Sequence, residues 1–273
     1  MIFKVFLIII ILLLPTRSFS DHSETFLIPC NVNECDTKLK ETVTWIYYSH
    51  NNNPALIWLP GGHGSTLSID YNAISLMEGK LDVITMASPI KIVNSLEEGG
   101  PGNGDAPRAY DKRLTYRTKQ VIEFYKKKLN KPIWLGGHSN GGPRIVGYLL
   151  RDKSNANQLL SGLIFSSPNV GYGRHRKYPA YRIKIWDIKN WKLNIPALVI
   201  NHKRDRCGDT EPENQKWLTD RIKKVNENKT ELILLNEGDE KETRDCHGGH
   251  HLYFSNRKEA AETIFKFIKE NTE

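Results

Sequence analysis

Short apolar runs alternate with amphipathic stretches along most of the chain. Residues 42–48 (TVTWIYY), 55–59 (ALIWL) and 83–86 are rich in β-branched and aromatic side chains and read as strands. Residues 98–108 (EGGPGNGDAPR) hold too much Gly and Pro for either regular structure and read as a loop. From 110 to 129, Leu114, Val121, Ile122, Phe124 and Tyr125 recur among charged positions, the pattern of an amphipathic helix. The alternation continues with a strand over 132–135 (PIWL), a helix over 142–150, and strands over 162–165 and 197–200. A helix over 212–226, a strand over 230–235 and a helix over 257–270 complete it. Short apolar strands separated by helices predict a mostly parallel sheet covered on both faces. Neither a repeat nor a linker divides the chain, so 41–273 is expected to be one α/β domain, preceded by a polar lead-in over 21–40.

Residues 1–20 do not fit that globule. Lys4 precedes the unbroken apolar run Val5 to Leu14, Pro15 ends it, and Ser18-Phe19-Ser20 carries small residues where a signal peptidase reads. This is the layout of a cleavable secretory signal, with cleavage expected after Ser20. A run of about 10 apolar residues is short of the roughly 20 needed to span a bilayer. The chain is therefore expected to be secreted or periplasmic, with no transmembrane segment in the mature form.

Composition narrows the classes further. Among 273 residues, 39% are hydrophobic, and the 20 Gly and 13 Pro follow no period, so disordered and collagen-like chains are excluded. The formal charge of +8 makes the protein basic. Export makes disulfides the default for Cys30, Cys35, Cys207 and Cys246. Four cysteines allow three connectivities. Cys30 and Cys35 are close enough to form a local clip, which leaves Cys207 for Cys246. Zinc is the competing reading, but the tight CxxC pairs usual in such sites are missing, and neither metal nor cofactor is expected.

The most informative stretch is Ile133 to Gly142, IWLGGHSNGG. A buried strand runs into Gly137-His138-Ser139-Asn140-Gly141, and a helical pattern starts at once. G-x-S-x-G between strand and helix is the layout of a nucleophile elbow. The glycines relieve the crowding of a turn so sharp that the serine sits in a strained conformation. A serine hydroxyl needs a base, a group that orients the base, and donors for the developing oxyanion.

With these residues the chain resembles the α/β-hydrolases over about residues 40–273, and is similar to secreted esterases and lipases among them. The resemblance implies an α/β-hydrolase fold with a short lid or none, and triad members in the chain order Ser, acid, His. The acid would follow a late strand, where Asp205 stands just past 196–200, with Asp209 as runner-up. The base would come from Cys246-His247-Gly248-Gly249-His250-His251, where the Gly-Gly-His spacing favours His250 over His251 and His247. The loop Pro60-Gly61-Gly62-His63-Gly64 resembles an HGGG-type oxyanion loop, with Gly62 and His63 as donors alongside the Asn140 amide. A Cys207–Cys246 bridge would then tie the acid loop to the base loop.

The resemblance implies an ester-cleaving serine hydrolase acting on a small-molecule or lipid ester through an acyl-enzyme. Peptidase, amidase and acyltransferase chemistry on the same triad are alternatives, as is a non-catalytic secreted binding protein that kept the fold. Between the strands at 162–165 and 197–200, basic residues from Arg174 to Lys192 interleave with Tyr178, Tyr181, Trp186 and Trp191. This stretch could meet an anionic surface. No nucleic-acid motif accompanies it, and no nucleic-acid partner is expected.

Overall fold

The alternating apolar runs assemble into one sheet. A computed structural model describes residues 23–29, 41–49, 52–59, 61, 80–86, 112–170, 188–189, 191–207, 210–238, 249–253 and 255–272. The strands are β1 (Ser23–Pro29), β2 (Glu41–Tyr47), β3 (Ala55–Leu59), β4 (Asp82–Met86), β5 (Ile133–His138), β6 (Gly162–Ser166), β7 (Ala197–His202) and β8 (Thr230–Leu235). They lie in the order β1-β2-β4-β3-β5-β6-β7-β8. The β1–β2 and β2–β4 pairs are antiparallel, and every pairing from β4 to β8 is parallel. The described helices are α1 (Lys112–Leu129), α2 (Gly141–Arg151), α3 (Lys153–Leu159), α4 (Pro212–Lys223) and α5 (Arg257–Glu270).

The central strands are buried on both faces, which is why they read as continuous apolar runs. In β3, Ala55, Ile57 and Leu59 face one core, together with Val121 of α1, Ile145 and Val146 of α2, and Leu218 of α4. Leu56 and Trp58 face the other, with Trp134 and with Ala261, Ile264 and Phe267 of α5. The twofold period of the strand divides the apolar residues between the layers. Trp191, at the end of the basic stretch, is buried in the first core, while Lys189 and Lys192 are exposed.

Two elements differ from expectation. Residues 23–29, expected as lead-in, form an edge strand pairing along its length with β2. Its Ile28 is buried, its Phe26 meets Phe124 and Tyr125 of α1, and its Leu27 is 56% exposed. An edge strand is held by its neighbour's backbone groups, so it needs little apolar pattern of its own. The short α3 (KSNANQL) is similarly faint, with Ala156 in the core and Leu159 packed against it.

Asp82 fastens the ends of the central strands away from the site. Its carboxylate, 1% exposed, accepts bonds from the Ser49 amide and hydroxyl, both at 2.8 Å, and pairs with Lys131 at 2.6 Å. It thereby joins the turn before β3 to the segment entering β5. Asp82→Ala leaves the buried Ser49 amide without this acceptor and should cost about 2–3 kcal/mol. Urea denaturation checks this, and a loss below about 0.5 kcal/mol would contradict it.

Candidate active site

Ser139 follows the last residue of β5 and precedes α2, and its φ is +50°, a left-handed conformation rare for a non-glycine residue. The turn is closed by Ser139 N–H donating to the Ser166 carbonyl (2.9 Å) and Gly142 N–H donating to the Ser139 carbonyl (3.1 Å). Gly137 makes the turn possible, because a Cβ there would lie 2.6 Å from the Gly141 carbonyl carbon. The Ser139 carbonyl also accepts the Asn169 N–H at 3.2 Å, and the Asn169 side-chain amide donates to Asn140 Oδ1. A peptide unit is planar, so holding the Ser139 carbonyl fixes the direction of the Asn140 N–H at its other end. Gly61, after β3, packs so closely that a Cβ there would lie 3.1 Å from Ser139 Cβ.

Asp205 lies just past β7 and is fully buried. Its Oδ1 accepts the Cys207 amide (2.9 Å), and its Oδ2 accepts the Thr210 hydroxyl (2.8 Å) and His251 Nδ1–H (3.0 Å). A carboxylate only accepts, so Nδ1 carries the hydrogen and Nε2 of the neutral ring is the basic nitrogen. The His251 ring lies 4.8 Å, centroid to centroid, from that of His138, the residue before Ser139. The C-terminal ends of β5 and β7 and the segment after β8 thus converge, where parallel sheets gather ligand sites.

The imidazole on Asp205 is therefore that of His251, not the expected His250. Both residues lie in a 3-10 turn (Gly249–Leu252). At three residues per turn, successive side chains point about 120° apart, so one of the two can face the carboxylate. His250 instead stacks on His202, with centroids 4.2 Å apart and planes within 3°. His202 is held by Nε2–H donating to the Glu237 carbonyl (2.8 Å), while its Nδ1 accepts the Arg204 amide (3.0 Å). Burial lowers its pKa, with the Glu237 bond opposing the shift. Burial lowers the His138 pKa well below 6.5, and the neighbouring His251 adds to the effect.

Of the expected residues, the structure brings Ser139, Asn140, Asp205, Cys207 and His250 to one end of the sheet, with His250 against His202 rather than Asp205. Gly62, His63, Cys30, Cys35, Cys246, Asp209, His247 and residues 174–187 lie outside the described residues, as do 1–22. Thr210, Asn169, Ser167, Asn201 and Tyr253 were not foreseen. They are ordinary polar residues in sequence, and only their mutual contacts distinguish them. Among the described residues no group of three His, Cys, Asp or Glu side chains could hold a metal ion. None of the described helices is long and apolar enough to cross a membrane.

No protein-family model and no curated protein sequence matches the chain. Solved structures do. An esterase of Pyrococcus furiosus, Pf2001, superposes with a TM-score of 0.59 at 16% identity, covering 92% of this chain and 93% of its own. Est1E of Butyrivibrio proteoclasticus gives 0.58 at 14% identity, covering 90% and 98%. XC6422 of Xanthomonas campestris, described as an α/β serine hydrolase without lid, gives 0.55 at 12%, covering 93% and 97%. These likenesses, with the strand order above, give the chain the α/β-hydrolase fold.

The depressed His138 and His202 pKa values make stability pH-dependent. Near pH 6.5 the unfolded chain takes up protons that the folded rings refuse, so stability is full above that pH and declines below it. The melting temperature should fall between about pH 7.5 and pH 5.5, and less steeply in His138→Asn. A variant slope equal to that of the parent protein would remove His138 from the account.

Proposed function

We propose that this chain of α/β-hydrolase fold is a serine hydrolase that cleaves carboxylic esters through an acyl-enzyme on Ser139. The observation that carries the reading is the strained Ser139 elbow set beside a buried His251–Asp205 pair. Ser139 Oγ attacks the ester carbonyl carbon while His251 Nε2 takes the hydroxyl proton. Asp205 holds the Nδ1–H tautomer and stabilises the imidazolium. The Asn140 N–H, aimed by the held Ser139 carbonyl, donates to the oxyanion, with a second donor from the loop carrying Gly62 and His63. Collapse expels the alcohol, which receives the proton from His251. Water then attacks the acyl-enzyme with His251 again as base, releasing the acid and restoring Ser139.

The esterases among the similar structures support small-molecule esters as the substrate class. A signal peptide over residues 1–20 and a mature hydrolase domain over 41–273 complete the proposal. So does a Cys207–Cys246 bridge, consistent with no free cysteine among the described residues. Such a bridge would clamp the acid loop to the base loop across roughly 40 residues, worth about 4 kcal/mol in the chain-entropy model.

A fluorophosphonate probe should label Ser139, and Ser139→Ala should abolish both labelling and hydrolysis of a panel of chromogenic esters. An unlabelled Ser139 in the folded protein would favour a binding protein that kept the fold. His251→Ala should lower kcat by about a thousandfold or more, whereas His250→Ala, whose ring stacks on His202, should retain most of it. The reverse pattern would move the base to His250.

A further inference from the structure

Behind the reacting groups lies a buried polar circuit of side chains that take no part in bond making. Tyr253, two residues past His251, is fully buried with φ +52°. Its hydroxyl lies 2.8 Å from Ser167 Oγ and 3.1 Å from the Ile200 carbonyl. Ser167, just past β6, is also buried and left-handed, with φ +39°. Its hydroxyl donates to Asn201 Oδ1 at 2.6 Å. Asn201, in β7, donates from Nδ2 to the Thr210 carbonyl at 2.6 Å. Thr210 shares its own hydroxyl proton between Asp205 Oδ2 at 2.8 Å and the Cys207 carbonyl at 2.7 Å. Asp205 then meets His251, which closes the loop back to Tyr253 along the chain.

The hydrogens run in one direction round this circuit. Ser167 has one proton and spends it on Asn201, so the Tyr253 hydroxyl is the donor to Ser167, its single proton shared with the Ile200 carbonyl, which can only accept. Asn201 is fixed in orientation, because its oxygen accepts from a hydroxyl and its amide nitrogen donates to a carbonyl. Each link is buried, where an unmade hydrogen bond is costly and the geometry is correspondingly sharp. Two residues in left-handed backbone conformations also persist only where their surroundings over-determine them.

We propose that Tyr253 is a positioning residue for the base: through Ser167, Asn201 and Thr210 it sets the Asp205 carboxylate and the His251 ring in mutual register. The proposal rests on the serine hydrolase reading above. It differs from a packing role because the Tyr253 ring can fill its place in the second core without its hydroxyl.

Tyr253→Phe removes that one oxygen. In the full-length protein it should lower kcat about tenfold or more on a chromogenic ester, with KM little changed, as expected when a reacting group is misplaced by a fraction of an ångström. The low-field proton resonance of the His251 Nδ1–H···Asp205 bond should broaden or move. Ser167→Ala breaks the circuit at the next link and should reproduce both effects. It also serves as the test should Tyr253→Phe fail to fold. Unchanged kcat and an unchanged resonance, with only a lower melting temperature, would overturn the proposal and leave Tyr253 structural. Labelling of Ser139 by a fluorophosphonate in the unmodified protein separates this failure from failure of the functional reading. Labelling there with normal kcat in Tyr253→Phe refutes the positioning role alone.

Discussion

The hydrogen bond between His251 Nδ1 and Asp205 Oδ2 is the interaction around which the C-terminal third of the chain is organised. It joins residues 46 positions apart, one fully buried and the other nearly so. Two loops meet there because β7 and β8 run parallel and adjacent and discharge their C-terminal ends on the same side. A carboxylate removed from water needs several donors to be tolerated, and Asp205 has the Cys207 amide, the Thr210 hydroxyl and the imidazole. Each donor is thereby fixed by the charge it serves.

Backbone strain gathers around the same point. Of the four described non-glycine residues with positive φ, Ser139, Ser167 and Tyr253 lie at the site, and only Asn130, ending α1, is elsewhere. Such conformations cost on the order of 1–3 kcal/mol each. They are held by β5–β6 and β6–β7 pairing, which anchors Ser139 to the Ser166 carbonyl and Ser167 to the Ile200 carbonyl. The stability of the central sheet thus sustains the strain that presents the Ser139 hydroxyl. The two apolar layers stabilise that sheet from both faces, and Asp82 closes its opposite end.

Among the described residues four imidazoles crowd into this end of the sheet, and their surroundings separate them. His138 is buried behind the elbow and kept neutral, its Nδ1 within 3.1 Å of Ser166 Oγ. His202 and His250 stack on each other, with His202 tied to the segment after β8 through the Glu237 carbonyl. His251 hydrogen-bonds the Asp205 carboxylate.

The α/β architecture and the elbow were legible in the sequence because both depend on local regularities. Buried parallel strands must be apolar on both faces, and a sharp strand–helix turn around a serine demands glycine where Gly137 stands. That Asp205 falls just past β7 was legible too, because the apolar run of that strand marks where it ends. The edge strand Ser23–Pro29 was not, since its partner rather than its own pattern holds it. Nor was the choice between His250 and His251. Neighbours in a 3-10 turn point about 120° apart, so the phase of that turn against Asp205 decides, and phase is set by packing after β8. The circuit through Tyr253, Ser167, Asn201 and Thr210 draws on residues from 167 to 253, and no local spacing could announce it. Local chemistry wrote the Ser139 elbow into the chain, while the contacts around it exist only once distant strands lie side by side.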